Sequence, residues 1–160
     1  MSFQVSALDV NQFSHLFGRD DETLGRSGVL RVVVDEDPGY PCRVSLQDAP
    51  VGESALLLNF EHQTATSPYR SSHAIFVREW AEQAWPAENE VPDFLRQRLL
   101  SVHAFDAGGM MLEAEVVDGE ELEALIETMF RIELVSYLHI HNARRGCYAA
   151  LVERGRSSDR

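Results

Sequence analysis

Lysine is absent from this 160-residue chain, and all fourteen of its basic side chains are arginine. Schiff-base chemistry on a lysine amine and the phosphate-binding P-loop lysine are therefore excluded. Cysteine is scarce. Cys42 and Cys147 lie far apart and outside any Cys-x-x-Cys spacing, which argues against a disulfide scaffold and against a structural zinc site. Two reduced, buried thiols are expected. No stretch approaches the roughly 18–20 uninterrupted apolar residues of a membrane helix. The opening MSFQVSALDV also lacks the basic start and apolar run of a signal peptide, so a soluble, cytoplasmic chain is expected. The G-x-G-x-x-G, G-x-S-x-G and H-E-x-x-H patterns are missing too, and no cofactor is implied.

What is present is an ordinary globular composition, 44% hydrophobic and 25% charged, with a net charge of −12. A surface this acidic repels phosphate backbones and anionic bilayers, so neither nucleic acid nor membrane is an expected partner. The length suits one hydrophobic core. We expect a single domain over 1–154 and a disordered tail over 155–160.

Val10, Phe13, Leu16 and Phe17 fall at helical spacing behind Asp9 and predict a short first helix. A polar, glycine-punctuated stretch follows to Gly28. Leu30 to Asp35 then reads as a β-branched strand ended by the Asp37-Pro38-Gly39-Tyr40-Pro41 turn cluster, and Cys42 to Leu46 as another. Ala55–Phe60 and Ala74–Val77 are apolar runs of the kind found in central strands. Pro92 opens a helical segment through Leu99. Leu100–Asp106 and Met110–Val117 form a hairpin about Ala107-Gly108-Gly109. Leu122, Leu125, Ile126, Met129 and Phe130 make one apolar helical stripe behind acidic residues. Val135–Asn142 and Cys147–Val152 close the chain as strands. The connections are mostly too short for helical crossovers, so the expected fold class is α+β, a largely antiparallel sheet with two or three helices packed on one side.

Three stretches carry more polar and aromatic groups than a strand or turn requires: residues 59–63, 68–73 and 139–148. Each borders a strand end, where loops present functional groups. His139 and His141 alternate on one strand, which sets their imidazoles roughly 6–7 Å apart and lets them share a metal ion, with His73, Glu61 or His62 as a further ligand. The plainer alternative is that Tyr137, His139 and His141 form the half-exposed face of a strand whose other face is core. Arg70 beside Ser71 and Ser72, and Arg144 with Arg145 in a turn, offer forked donors suited to carboxylate or phosphate, or ordinary salt bridges to the abundant acids. Cys147, after Arg145-Gly146, is either a histidine-assisted nucleophile or a small buried residue. Hairpin register decides: a three-residue turn sets Cys147 opposite His141, whereas a two- or four-residue turn pairs it with Asn142.

The phrases over residues 41–46, 69–78 and 141–148 (PCRVSL, YRSSHAIFVR and HNARRGCY) resemble those of a bacterial protein family, domain of unknown function 1203. The resemblance spans nearly the whole chain. It implies a bacterial origin and one compact domain, and it supplies no activity, ligand or catalytic residue.

Three functional readings follow. The first is an anionic small-molecule site, catalytic or not, built from Tyr69, Arg70 and Ser72 with Asn142, Arg144 and Arg145; His73, His141 and Cys147 are the candidate catalytic groups. This reading requires Arg70 and Arg144 to lie on one side of the molecule. The second is a non-enzymatic interaction module, homodimeric in one version, using Trp80 and Trp85. The third is a metal site on His139 and His141.

Overall fold

The computed structural model describes residues 1–156. Their helices and strands run in the order β1 (Phe3–Ser6), α1 (Asp21–Arg26), β2 (Leu30–Val33), β3 (Pro41–Cys42), β4 (Gln47–Asp48), β5 (Ser54–Gln63), β6 (Ser71–Arg78), α2 (Asp93–Arg96), β7 (Leu99–Phe105), β8 (Met111–Asp118), α3 (Leu122–Phe130), β9 (Tyr137–Asn142) and β10 (Tyr148–Arg154). The protein is mostly β, with few and short helices. Two five-stranded sheets replace the single sheet expected: β1-β10-β9-β7-β8, antiparallel throughout, and β2-β5-β6-β3-β4, which has one parallel contact between β3 and β6. Among the described residues, no helix is long and apolar enough to cross a membrane.

The helical residues divide between the sheets rather than packing on one side. In the first sheet, Leu100, Val102, Leu138 and Ile140 alternate onto one face and bury against Leu122, Ile126, Met129 and Phe130 of α3. That apolar stripe is the one visible in the sequence. In the second sheet, Leu56, Leu58, Ile75 and Val77 pack under Phe13, Phe17 and Leu24. Phe13 and Phe17 do not stand on the expected helix. Residues 10–17 form two 3-10 turns, Val10–Gln12 and Ser14–Leu16, the first capped by the Asp9 carboxylate, which accepts from the Asn11 amide at 2.9 Å. Two aromatics can be buried by one turn each, without helical continuity. A true helix, α1, forms instead in the polar stretch, where Asp20 accepts from the Thr23 amide at 2.7 Å. The strand expected over residues 42–46 is a tight turn between two-residue strands. The Leu46 amide donates to the Cys42 carbonyl at 3.0 Å, and Leu46 takes a left-handed φ of 54°.

Arg43 ties the two sheets together. Its side chain is only 1% exposed. Its Nε donates to the Tyr148 carbonyl at 2.8 Å, and Nη1 donates to the Pro41 carbonyl. Of the expected tail, 157–160 lie outside the described residues, and the Gly155 amide donates to the Ser2 carbonyl at 2.8 Å.

Candidate functional site: a histidine cluster between the sheets

Alternation along a strand makes every second side chain share a face. In the first sheet the face turned away from α3 carries Ser101, His103 and Phe105 from β7 and Tyr137, His139 and His141 from β9. The register sets Ser101 opposite His141 and His103 opposite His139. His103 and His141 stack diagonally with ring centroids 4.5 Å apart. Tyr148 of β10 pairs with His141 and joins this aromatic surface.

The second sheet brings its end strands against that surface. Phe60 of β5 pairs with His73 of β6, and a bulge between Glu61 and Gln63 leaves His62 as the extra residue. Bulges re-aim side chains at such ends. Here the His62 ring stacks on Tyr148 at 5.3 Å, and its Nε2 comes within 2.8 Å of His73 Nδ1. One ring nitrogen from each of His62, His73 and His141 then lies within 4.8 Å of the others. Five of the six histidines of the chain, all but His15, gather at this junction.

Burial decides their protonation. His62 is pushed down to about 4, first by desolvation and then by repulsion from His73 and His103. His139 and His141 are pushed down to about 3, again chiefly by burial, and His103 is lowered for the same reason. At neutral pH these four rings are uncharged. The carbonyl of Gly146 can only accept, so His141 Nδ1, 2.9 Å away, carries the proton, and Nε2 keeps a free lone pair. A backbone carbonyl that fixes the tautomer in this way is the usual support of a metal-ligating imidazole. His62 Nδ1 and His139 Nδ1 are buried and have no hydrogen-bond partner among the described residues.

A cavity of about 460 Å³ opens beside the cluster. Its lining includes His62, His73, His103 and His141, the apolar Phe105 and Met111 with Tyr69, and the polar groups of Arg70, Ser71, Ser101 and Asn142. Among the described residues, its lining contains no Asp or Glu, in a chain that has 26 of them.

The residues singled out from the sequence are distributed as follows. Tyr69, Arg70, His73, His141 and Asn142 line the cavity; Ser72, Arg144, Arg145, His139 and Cys147 do not. Ser72 pairs with Glu61 and is exposed, and Arg144 and Arg145 project from the hairpin turn. His139 and His141 are 6.5 Å apart, as expected for alternate strand positions, but at 5% and 4% exposure they are not a half-exposed face. The second sheet covers them. Their expected partners His62 and His73 come from that other sheet, not from a neighbouring strand, and Glu61 is taken up in an ion pair with Arg70. The hairpin has four turn residues, so the Asn142 amide donates to the Cys147 carbonyl at 2.9 Å while Tyr148 faces His141. The Cys147 sulfur accepts from Arg43 Nη2 at 3.0 Å and from Asn142 Nδ2 at 3.3 Å. Trp80 rests on Phe17 with centroids 5.6 Å apart, and Trp85 is 82% exposed. Sequence reasoning missed Ser101 and His103; their alternation with Leu100 and Val102 was the available signal. It also missed Arg43, whose burial has no local signature.

Fold and site together define a two-sheet, β-rich protein with a histidine-lined cavity at the junction of its sheets. The chain belongs to the family described as Protein of unknown function (DUF1203), which matches residues 39–154 and so includes both halves of the histidine cluster. No curated protein and no solved structure matches the chain.

Proposed function

We propose that this protein binds a late first-row divalent metal ion through His62, His73 and His141, at a centre that keeps coordination positions open toward the cavity. The observation that carries the reading is the convergence of three ring nitrogens within 4.8 Å from strands of two different sheets. A tetrahedral ion with bonds of about 2.0–2.1 Å needs nitrogens about 3.3 Å apart, so small ring rotations complete the set. Neutral imidazole is the ligating form and suits zinc, copper, nickel and cobalt. His141 offers Nε2, with Nδ1 held by Gly146. Three protein ligands and an open position are the pattern of a reactive centre rather than a closed structural one, and the ion would act there as a Lewis acid.

The test is elemental analysis of the purified, untagged chain after incubation with Zn²⁺ and dialysis. We expect about one ion per chain, lost in His73→Ala and in His141→Ala. His139→Ala should keep it, because His139 lies outside the converging set. Sub-stoichiometric metal in the parent protein, or retention in both ligand variants, refutes the proposal.

A further inference from the structure

We infer that the open side of this centre takes a small carboxylate with an aromatic or branched apolar body, its oxygens shared between the metal and Arg70; the inference rests on the metal-binding reading. Three neutral imidazoles leave a divalent ion its full charge, whereas carboxylate ligands would have cancelled part of it. An inner-sphere ligand at such a centre is favoured when it is an anion.

The surroundings agree. A chain of net charge −12 repels anions almost everywhere, yet the described lining of this cavity contains no acidic side chain and contains Arg70, whose ion-pair partner Glu61 lies outside that lining. Arg70 is already oriented. Its Nε donates to Glu61, while its two terminal nitrogens have no partner among the described residues. A guanidinium held in this way at one edge presents its remaining donors as a fork, the geometry that matches a carboxylate. Ser71 and Asn142 add neutral polar groups to the same lining. The apolar part of the lining selects the rest of the ligand. Tyr69 and Phe105 stand edge to face at 6.2 Å, and Met111 lies alongside, so an apolar ring or branched chain is covered there. A volume of about 460 Å³ is within the range of about 300–1,000 Å³ that holds small ligands.

The experiment uses the full chain loaded with Co²⁺, whose visible absorption reports its ligands, titrated with benzoate and with the neutral isostere benzamide. We expect benzoate to change the cobalt spectrum with saturation and benzamide to leave it unchanged. Arg70→Met should weaken benzoate roughly tenfold while Co²⁺ affinity stays the same, and Tyr69→Ala should weaken benzoate also. A normal cobalt spectrum that benzoate does not alter, or that both probes alter equally, overturns the inference and leaves the metal centre standing. Benzoate binding in Arg70→Met as tight as in the parent overturns it in the same way. Failure to form any cobalt spectrum removes the metal reading itself, and this inference with it.

Discussion

Glu79 shows how much one side chain carries in this fold. It is buried, and it accepts from Arg31 Nε at 2.6 Å, from the Ser54 hydroxyl at 2.7 Å and from the Gly18 amide at 2.9 Å. It thereby joins β2, the start of β5 and the loop before α1. These donors, Arg31 foremost, lower its carboxyl from 4.5 to about 2 against the opposing effect of burial. The folded value lies below the unfolded one, so the ionised form is the stabilising one. Its contribution is complete above about pH 4.5 and is lost as pH falls toward about 2. Glu79→Gln should cost about 3 kcal/mol in urea unfolding at pH 7, since Arg31 then loses its buried carboxylate and keeps the exposed Asp21 and the Arg19 carbonyl. The variant should also show a flatter decline of stability between pH 4.5 and 2 than the parent. An unchanged acid profile would mean that Glu79 is not the group responsible.

At the scale of elements, the cavity depends on how the β7–β8 turn meets the 65–70 loop. Gly109 has φ of +82°, and a Cβ built on it would come within 2.3 Å of Ala65 Cβ. Its carbonyl accepts from the Ser67 hydroxyl at 2.9 Å, which in turn accepts from the Tyr69 amide at 3.1 Å. The loop that presents Tyr69 and Arg70 is thus seated on a glycine. Gly109→Ala should cost about 2–3 kcal/mol, combining left-handed strain with a clash. It should also weaken benzoate binding more than metal binding, because the loop moves and the histidines do not. Gly28→Ala is the control: its φ is +72°, but nothing lies within 4 Å of an added Cβ. It should show strain alone, about 1 kcal/mol. Equal losses in the two variants, read from urea midpoints, would mean that the contact with Ala65 is unimportant.

For the whole molecule, the centre is a joint between two sheets with separate cores. His62 and His73 belong to one sheet and His141 to the other. An ion held by all three binds the native arrangement and not the unfolded chain, so it should stabilise the entire fold. At a free metal concentration of 100 times Kd the gain is about 2.7 kcal/mol. Urea unfolding with and without Zn²⁺ should show this shift in the parent and none in His141→Ala. Hydrogen exchange should slow at the adjoining ends of β5, β6, β9 and β10 where amides open locally, and throughout the fold, α3 included, for amides exposed only by global unfolding. A rise in stability that survives in His141→Ala would assign it to some other metal contact.

Much of this protein follows from its local sequence pattern. The stripe from Leu122 to Phe130, the hairpin over residues 100–117, the closing strands and the shared face of His139 and His141 are all visible because periods of 3.6 and 2 decide which side chains point together. The lack of lysine and the acidic surplus likewise narrow the chemistry without any coordinates. Local signals can also be present and overlooked. Asp20, Asp21, Glu22 and Arg26 have the cap and charge order of a helix, yet the glycines around them read as a loop. Which faces meet is a different matter. The bulge brings His62 to His73, only 11 positions away, whereas the split into two sheets and the burial of His139 and His141 under the second depend on long-range contacts such as those of His62 with His139 and His141. The sequence by itself determined which residues share a face. Only the packing of one sheet on the other decided that histidines from two of those faces meet at a single point, because periodicity orients side chains within an element and carries no information about which element lies across from it.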